Sequence, residues 1–103
     1  MRIRFKRQKL RDLYYKGEGA EEYSEAVVDA FSKTVNIIEA ALDERDLYAL
    51  KSLHFEKLEG QRGNRGERSL RLNDQWRLIV LLDRDDEGKL VVIVDLEKHY
   101  QKA

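Results

Sequence analysis

Ser69-Leu70-Arg71-Leu72-Asn73-Asp74-Gln75-Trp76-Arg77-Leu78-Ile79-Val80-Leu81-Leu82 is the stretch from which the fold can be read. Its apolar residues fall in two short runs separated by Asn73-Asp74, a pair suited to a tight turn, so the segment predicts a hairpin of two strands. The second run, Trp76 to Leu82, is apolar on both faces, as a central strand covered on both sides must be. The pattern extends outward. Phe55 to Glu59 predicts a preceding strand, Gly60 to Glu67 a flexible turn rich in glycine, and Arg68 to Leu72 the first arm of the hairpin. Asp83 to Gly88 turns the chain again, and Lys89 to Leu96 predicts a last, valine-rich strand. Consecutive strands joined by short turns form an antiparallel meander.

Toward the N-terminus the period changes from two to that of a helix. Met1 to Phe5 alternates and predicts a short strand with Ile3 and Phe5 on one face. Leu10, Leu13 and Tyr14 recur at helical spacing between Lys6 and Lys16, and Gly17 to Gly19 stops that helix. Tyr23, Val27, Ala30, Phe31, Thr34, Ile38, Ala41 and Leu42 mark one face of a longer helix from about Glu21 to Leu42, with acids in its first turn. Asp43 to Leu53 predicts a short helix or turn that packs Leu47 and Leu50. Tyr14, Tyr15, Tyr23, Phe31 and Tyr48 sit at helical spacings and read as core rather than as base-stacking platforms. The expected fold is α+β, one domain over residues 1–103, with N-terminal helices on one face of an antiparallel sheet.

Composition narrows the function classes. A chain of 103 residues supports one core without staples. There are no cysteines, which excludes disulfides and thiolate metal sites, and two histidines are too few for a zinc cage built mainly of imidazole. No apolar run approaches the roughly 18 residues that cross a bilayer, and the charged start lacks the apolar stretch of a signal peptide, so a cytoplasmic protein without a membrane partner is expected. The formal net charge is zero, yet residues 1–16 hold seven Lys or Arg against one Asp, and residues 51–82 hold seven against four acids. Residues 17–50 hold two against nine acids, so two basic segments able to face polyphosphate are hidden inside a neutral total.

Leu58-Glu59-Gly60, the Arg- and Gly-rich turn Gln61 to Glu67, the run Ser69 to Leu78 and the ending Val94-Asp95-Leu96-Glu97-Lys98-His99-Tyr100 resemble the HigB-type, or proteic killer, branch of the RelE/ParE toxin superfamily. In that branch one strand ends in a Leu-Lys-Gly-like tripeptide and the next carries Ser-x-Arg-x-Asn. The third opens with Trp-Arg-Leu, and the chain closes on an aspartate followed by tyrosine and histidine. The likeness covers roughly residues 50–100, and the helical first half fits in order and length. It implies a RelE-like fold of the microbial RNase type and a type II toxin that cuts mRNA on the ribosome, inhibiting translation. It also implies no cofactor or metal, and neutralisation by a cognate antitoxin of the helix-turn-helix, HigA-like kind. Two other readings of the same fold stay open: a ParE-like gyrase poison, and a non-catalytic member that only binds its antitoxin.

Cleavage of RNA without a metal needs a base for the 2′-hydroxyl, a cation for the charge that develops at phosphorus, and an acid for the leaving 5′-oxygen. The resemblance places Arg77 in the site as the cation, with a fixed charge and a planar fork that grips two phosphoryl oxygens. His99 and Tyr100 are candidates for proton transfer, although many relatives end Tyr-His rather than His-Tyr. Glu56 stands where some relatives carry histidine and Glu59 where many carry lysine. A glutamate base at Glu56, a charge from Lys57, and His54 two residues before Glu56 on the same strand face are therefore added to the catalytic or RNA-binding candidates. Arg62, Arg65, Arg68 and Arg71, on the turn and the strand after it, are expected to follow a phosphate backbone.

Overall fold

The computed structural model of the chain describes residues 1–98; the candidates His99 and Tyr100 lie outside the described residues. Strand β1 (Arg2–Phe5) leads into α1 (Gln8–Lys16), which ends on Gly17 with φ 70°, its N–H donating to Leu13 O. A 3-10 turn at Ala20–Glu22 precedes α2 (Glu25–Ala40), whose start is set by Ser24: its hydroxyl accepts from the Val27 N–H at 3.2 Å. Helix α3 (Glu44–Ala49) is capped in the same way, the Asp43 carboxylate accepting from Arg45 N–H at 2.8 Å. Then come a 3-10 turn at Lys51–Leu53, β2 (Glu56–Lys57), the short α4 (Gly60–Asn64), β3 (Glu67–Arg71), β4 (Trp76–Asp85) and β5 (Gly88–Lys98).

The five strands form one sheet in the order β1-β5-β4-β3-β2. From β2 to β5 each strand pairs antiparallel with the next, and β4 is central, as its two-sided apolar pattern requires. The sheet is antiparallel as expected except at one edge, where β1 pairs parallel with β5, Ile3 opposite Val91 and Phe5 opposite Ile93. A parallel neighbour needs a crossover, and the whole helical layer supplies it.

Alternation sorts each strand into two faces. Leu70, Leu78, Val80, Val91, Ile93 and Leu96 face the helices and meet Leu10, Leu13, Phe31, Val35, Ile38 and Leu47 in one core. Each such side chain contributes about 1.5–3 kcal/mol through burial. The opposite face, here called the outer face, carries Arg2 and Arg4 on β1, Leu90, Val92, Asp95 and Glu97 on β5, Arg77, Ile79 and Leu81 on β4, Glu67, Ser69 and Arg71 on β3, and Glu56 on β2. A bulge between Ile79 and Val80, with Val94 as the extra residue of β5, shifts the register there.

Other expectations change at the edges of elements. The long helix runs from Glu25 to Ala40, not from Glu21 to Leu42, so Leu42 falls beyond its end and is 90% exposed. Leu47 is buried, but Leu50, past the end of α3, is exposed, as are Tyr15 and Tyr48. Gly60 to Asn64 is helical rather than a flexible turn. Among the described residues no helix is long and apolar enough to cross a membrane.

Candidate functional site

The outer face draws most of the candidate residues together. Three cross-strand rows define it. Glu56, Ser69, Ile79 and Asp95 form the middle row; Arg71, Arg77 and Glu97 form the row toward the start of β4; Glu67, Leu81, Val92 and Arg4 form the row on the other side. Neighbouring strands lie about 4.8 Å apart, so side chains in one row are within mutual reach.

Arg77 stands in the row opposite Glu97, and its Nη1 donates to the Ser69 hydroxyl at 3.3 Å. Ser69 is buried, and this guanidinium is the partner that satisfies its side chain. Among the described residues no carboxylate comes within ion-pair reach of Arg77, and its one polar side-chain partner there is the Ser69 hydroxyl.

Arg62 behaves differently. From α4 it donates through Nε to Glu67 at 3.2 Å and through Nη2 to Glu97 at 2.8 Å, reaching from β3 to β5 across β4. Ile79 lies between the rows of Glu67 and Glu97, and its burial beneath this crossing follows from the register. Hydrogen bonding to Glu97, with Glu67 adding to it, holds the Arg62 guanidinium above the usual arginine range. The pair is about two-fifths exposed on each side, so after solvent screening it contributes roughly 1 kcal/mol or less.

Helix α4 sits close enough to deliver Arg62 because residue 63 is glycine. A Cβ there would lie 1.7 Å from Leu58 O and 2.9 Å from Lys57 Cγ, distances that no side chain tolerates. Arg65, at the C-cap of α4, reaches Glu67 at 3.6 Å. Lys6, Arg65, Glu67, Leu81 and Val94 line an adjoining open cleft of about 320 Å³, with two cations over an apolar floor.

The candidates on the surrounding segments do not all meet. Arg71 is on the outer face but paired with Asp74. Arg68 and Lys57, opposite one another in register, alternate to the helix side. Arg68 donates to Glu67 O at 3.2 Å and weakly to Tyr48 Oη, so the four arginines do not form a single track. Glu56 is exposed on the outer face opposite Ser69. His54 is not on that strand: it has φ 44°, in the left-handed region that few non-glycine residues adopt, and the expected sharing of a strand face with Glu56 fails for that reason.

Ser69, Glu67, Asp95 and Glu97 were not legible as site residues. All four lie within the motifs quoted above, and alternation along β3 and β5 from the residues opposite Arg77 is the signal that finds them. Among the described residues no three His, Asp or Glu side chains converge as a metal site requires.

The fold has solved counterparts. It is similar to YafQ from E. coli, with a TM-score of 0.63 and 16% identity over 96% of this chain and 94% of that one. It is also similar to a YoeB/ParE toxin from Agrobacterium tumefaciens, with a TM-score of 0.60 and 14% identity over 97% and 100%. A YoeB-YefM complex from Staphylococcus aureus gives a TM-score of 0.55 and 23% identity over 97% and 98%. At these identities the likeness concerns the fold. No curated protein matches the sequence significantly. The HigB-like toxin family, described as the RelE-like toxin of type II toxin-antitoxin system HigB, matches residues 3–99. With the family match running through every strand of the sheet and its outer face, the chain belongs to the HigB-like family of RelE-like toxins of type II toxin–antitoxin systems.

Proposed function

We propose that this toxin is an endoribonuclease that cuts mRNA on the ribosome, with the outer face as its RNA site. The observation that carries the reading is that Arg77 has no acid partner among the described residues, while the other arginines on or against the outer face, Arg2, Arg4, Arg62, Arg65 and Arg71, are each held by one. A guanidinium on the central strand, with no carboxylate partner among the described residues and bonded to a buried hydroxyl, suits the binding of a phosphate and of the charge that grows on it during in-line attack.

In this reading Glu56, exposed and one strand away from Ser69, takes the proton of the 2′-hydroxyl. The oxygen attacks the neighbouring phosphorus, the bond to the 5′-oxygen breaks, and a 2′,3′-cyclic phosphate is left on one fragment. His99, the next residue after the end of β5, protonates the departing 5′-oxygen, with Tyr100 beside it. Glu97 is bound to Arg62 and serves to hold α4 over the sheet rather than to move protons. Lys6 and Arg65 at the adjoining cleft, with Arg71, supply phosphate affinity. Lys57, Arg68 and His54 lie off this face and have supporting roles at most. The reaction calls on no cofactor.

A cognate antitoxin of the helix-turn-helix, HigA-like kind and a cytoplasmic location belong to the same proposal; among the structural counterparts, YoeB is seen with YefM. Induced expression tests it, with translation, mRNA integrity and DNA supercoiling followed separately. Loss of translation with cut mRNA is the expected result. DNA damage with intact mRNA would assign the fold to gyrase poisoning instead.

A further inference from the structure

We propose that Tyr23 and Trp76, with Lys9 and Lys98 beside them, form a second contact for single-stranded RNA, a nucleobase stacking on the indole while the two ammonium groups hold its flanking phosphates. This rests on the reading that the outer face takes RNA, and extends the path of the strand beyond it.

The two rings meet edge to face, with centroids 5.4 Å apart and planes at 82°. Both are partly buried against the core, so the pair is rigid. Its cover is not. The Lys98 ammonium stands 5.7 Å from the indole centroid and the Lys9 ammonium 5.8 Å from the Tyr23 centroid, and both lysines are exposed. A flexible lysine can leave an aromatic face without opening the core. Lys9 also pairs with Glu22 at 2.5 Å, an exposed contact that a phosphate can replace at small cost. Other aromatic contacts differ: Tyr14 packs on Phe5, Tyr15 and Phe31 and donates to Asn36 and to Glu39 at 2.8 Å, and the Tyr48 hydroxyl beside Phe55 accepts from Arg68.

Position links the pair to the site. Trp76 and Arg77 are consecutive at the start of β4, and their register partners Lys98 and Glu97 are consecutive at the end of β5. Successive residues point to opposite faces, so a strand bending over this end of the sheet meets Arg77 on one side and Trp76 on the other. Rigid aromatic faces set among mobile cations are how proteins hold single-stranded nucleic acid without reading its sequence.

Trp76 is the sole tryptophan, so its indole N–H gives one resolved NMR signal. The experiment titrates the full chain with a short single-stranded RNA carrying 2′-O-methyl groups throughout, which cannot be cleaved, and follows that signal with the backbone amides. The expected result is a saturable upfield shift of the indole together with shifts at Ser69 and Arg77. Trp76→Leu should weaken binding about tenfold; Lys9→Ala with Lys98→Ala, which leaves the core alone, should weaken it and flatten its salt dependence. If Ser69 and Arg77 shift while the indole stays fixed, this contact is wrong and the outer-face reading stands. If the indole alone shifts, the contact stands and the outer-face reading falls. An indole that ignores RNA but responds to an antitoxin marks a protein-docking surface and overturns the proposal, as does no response at roughly millimolar RNA.

Discussion

Arg77 on β4 faces Glu97 on β5 in register, yet its guanidinium bonds to Ser69 on β3, while Glu97 is taken by Arg62 from α4. One carboxylate is thus withdrawn from the arginine directly opposite it, and Arg77 keeps a charge that its own row would otherwise neutralise.

Arg77→Ala is expected to abolish growth inhibition at equal protein level. A fixed cation at the reacting phosphate is worth on the order of 3 kcal/mol, about a hundredfold or more in cleavage rate. The fold should survive, its stability lowered by roughly 1 kcal/mol because the buried Ser69 hydroxyl loses its partner. Arg77→Lys should restore only part of the rate, since an ammonium lacks the planar fork. Full toxicity of the alanine variant would remove Arg77 from the site.

Gly63→Ala is expected to disturb α4 more than a change of one methyl suggests. The new Cβ would meet Leu58 O at 1.7 Å, so the helix must lift, and Arg62 must let go of at least one of its two acids. Thermal or urea unfolding should register a loss at the upper end of the roughly 1–3 kcal/mol typical of overpacking. Unchanged stability with an unchanged Arg62–Glu97 contact would show that the backbone here yields freely.

Arg65→Gln with Arg71→Gln is expected to weaken binding to RNA or ribosomes while sparing the cleavage step at saturation. The logarithmic salt slope should flatten by about one unit for each phosphate that the variant no longer neutralises. An unaltered slope would confine these arginines to their acids Glu67 and Asp74.

Acid stability should depend on the β1 edge. Hydrogen bonds from Arg2 hold the Asp85 carboxyl down at about 2, below its ordinary value of 3.8. A folded-state value below the unfolded one means that the stabilisation is present above about pH 4 and is lost as pH falls toward 2. Asp85→Asn should therefore lower stability at neutral pH and flatten the pH dependence of unfolding within that window. An acid limb identical to that of the parent would rule this pair out as a contributor.

His99→Gln is expected to slow cleavage by roughly a hundredfold if this side chain is the acid. Tyr100→Phe, compared at matched thermal stability, separates a chemical role for the phenol from an orienting one. Wild-type cleavage by the His99 variant would shift the search to the carboxylates of the outer face.

Much of this architecture is written locally. The alternation of Ile3 with Phe5, the apolar run of β4 and the helical spacing of Phe31 with Ile38 each declare an element and its buried face, because burial acts on neighbours within one segment. What partners a strand is another matter: period two marks β1 as a strand but cannot say that it lies parallel to β5, some 88 residues away in register. The helix at Gly60–Asn64 is hidden in the sequence because glycine has low helical propensity: Gly60 takes a φ of 68° at its start, and Gly63 is there for close approach. Arg77 stood out through its motif. The capture of Glu97 by Arg62, 35 residues apart, could not be foreseen, since it exists only once α4 has been folded over the sheet. Period alone puts Leu42 and Leu50 in the core, and the ends of α2 and α3 leave them outside it.

The strand order β1-β5-β4-β3-β2 puts the last-made strand between the first-made strand and all the others. During synthesis, β1 and the helices emerge with no sheet to join, and β4 lacks its neighbour on one side until β5 has left the ribosome. Closing contacts between positions so distant in the chain is also the slow kind of folding step. A nascent chain therefore has no complete outer face until β5 has emerged and brought Asp95 and Glu97 beside Ile79 and Arg77.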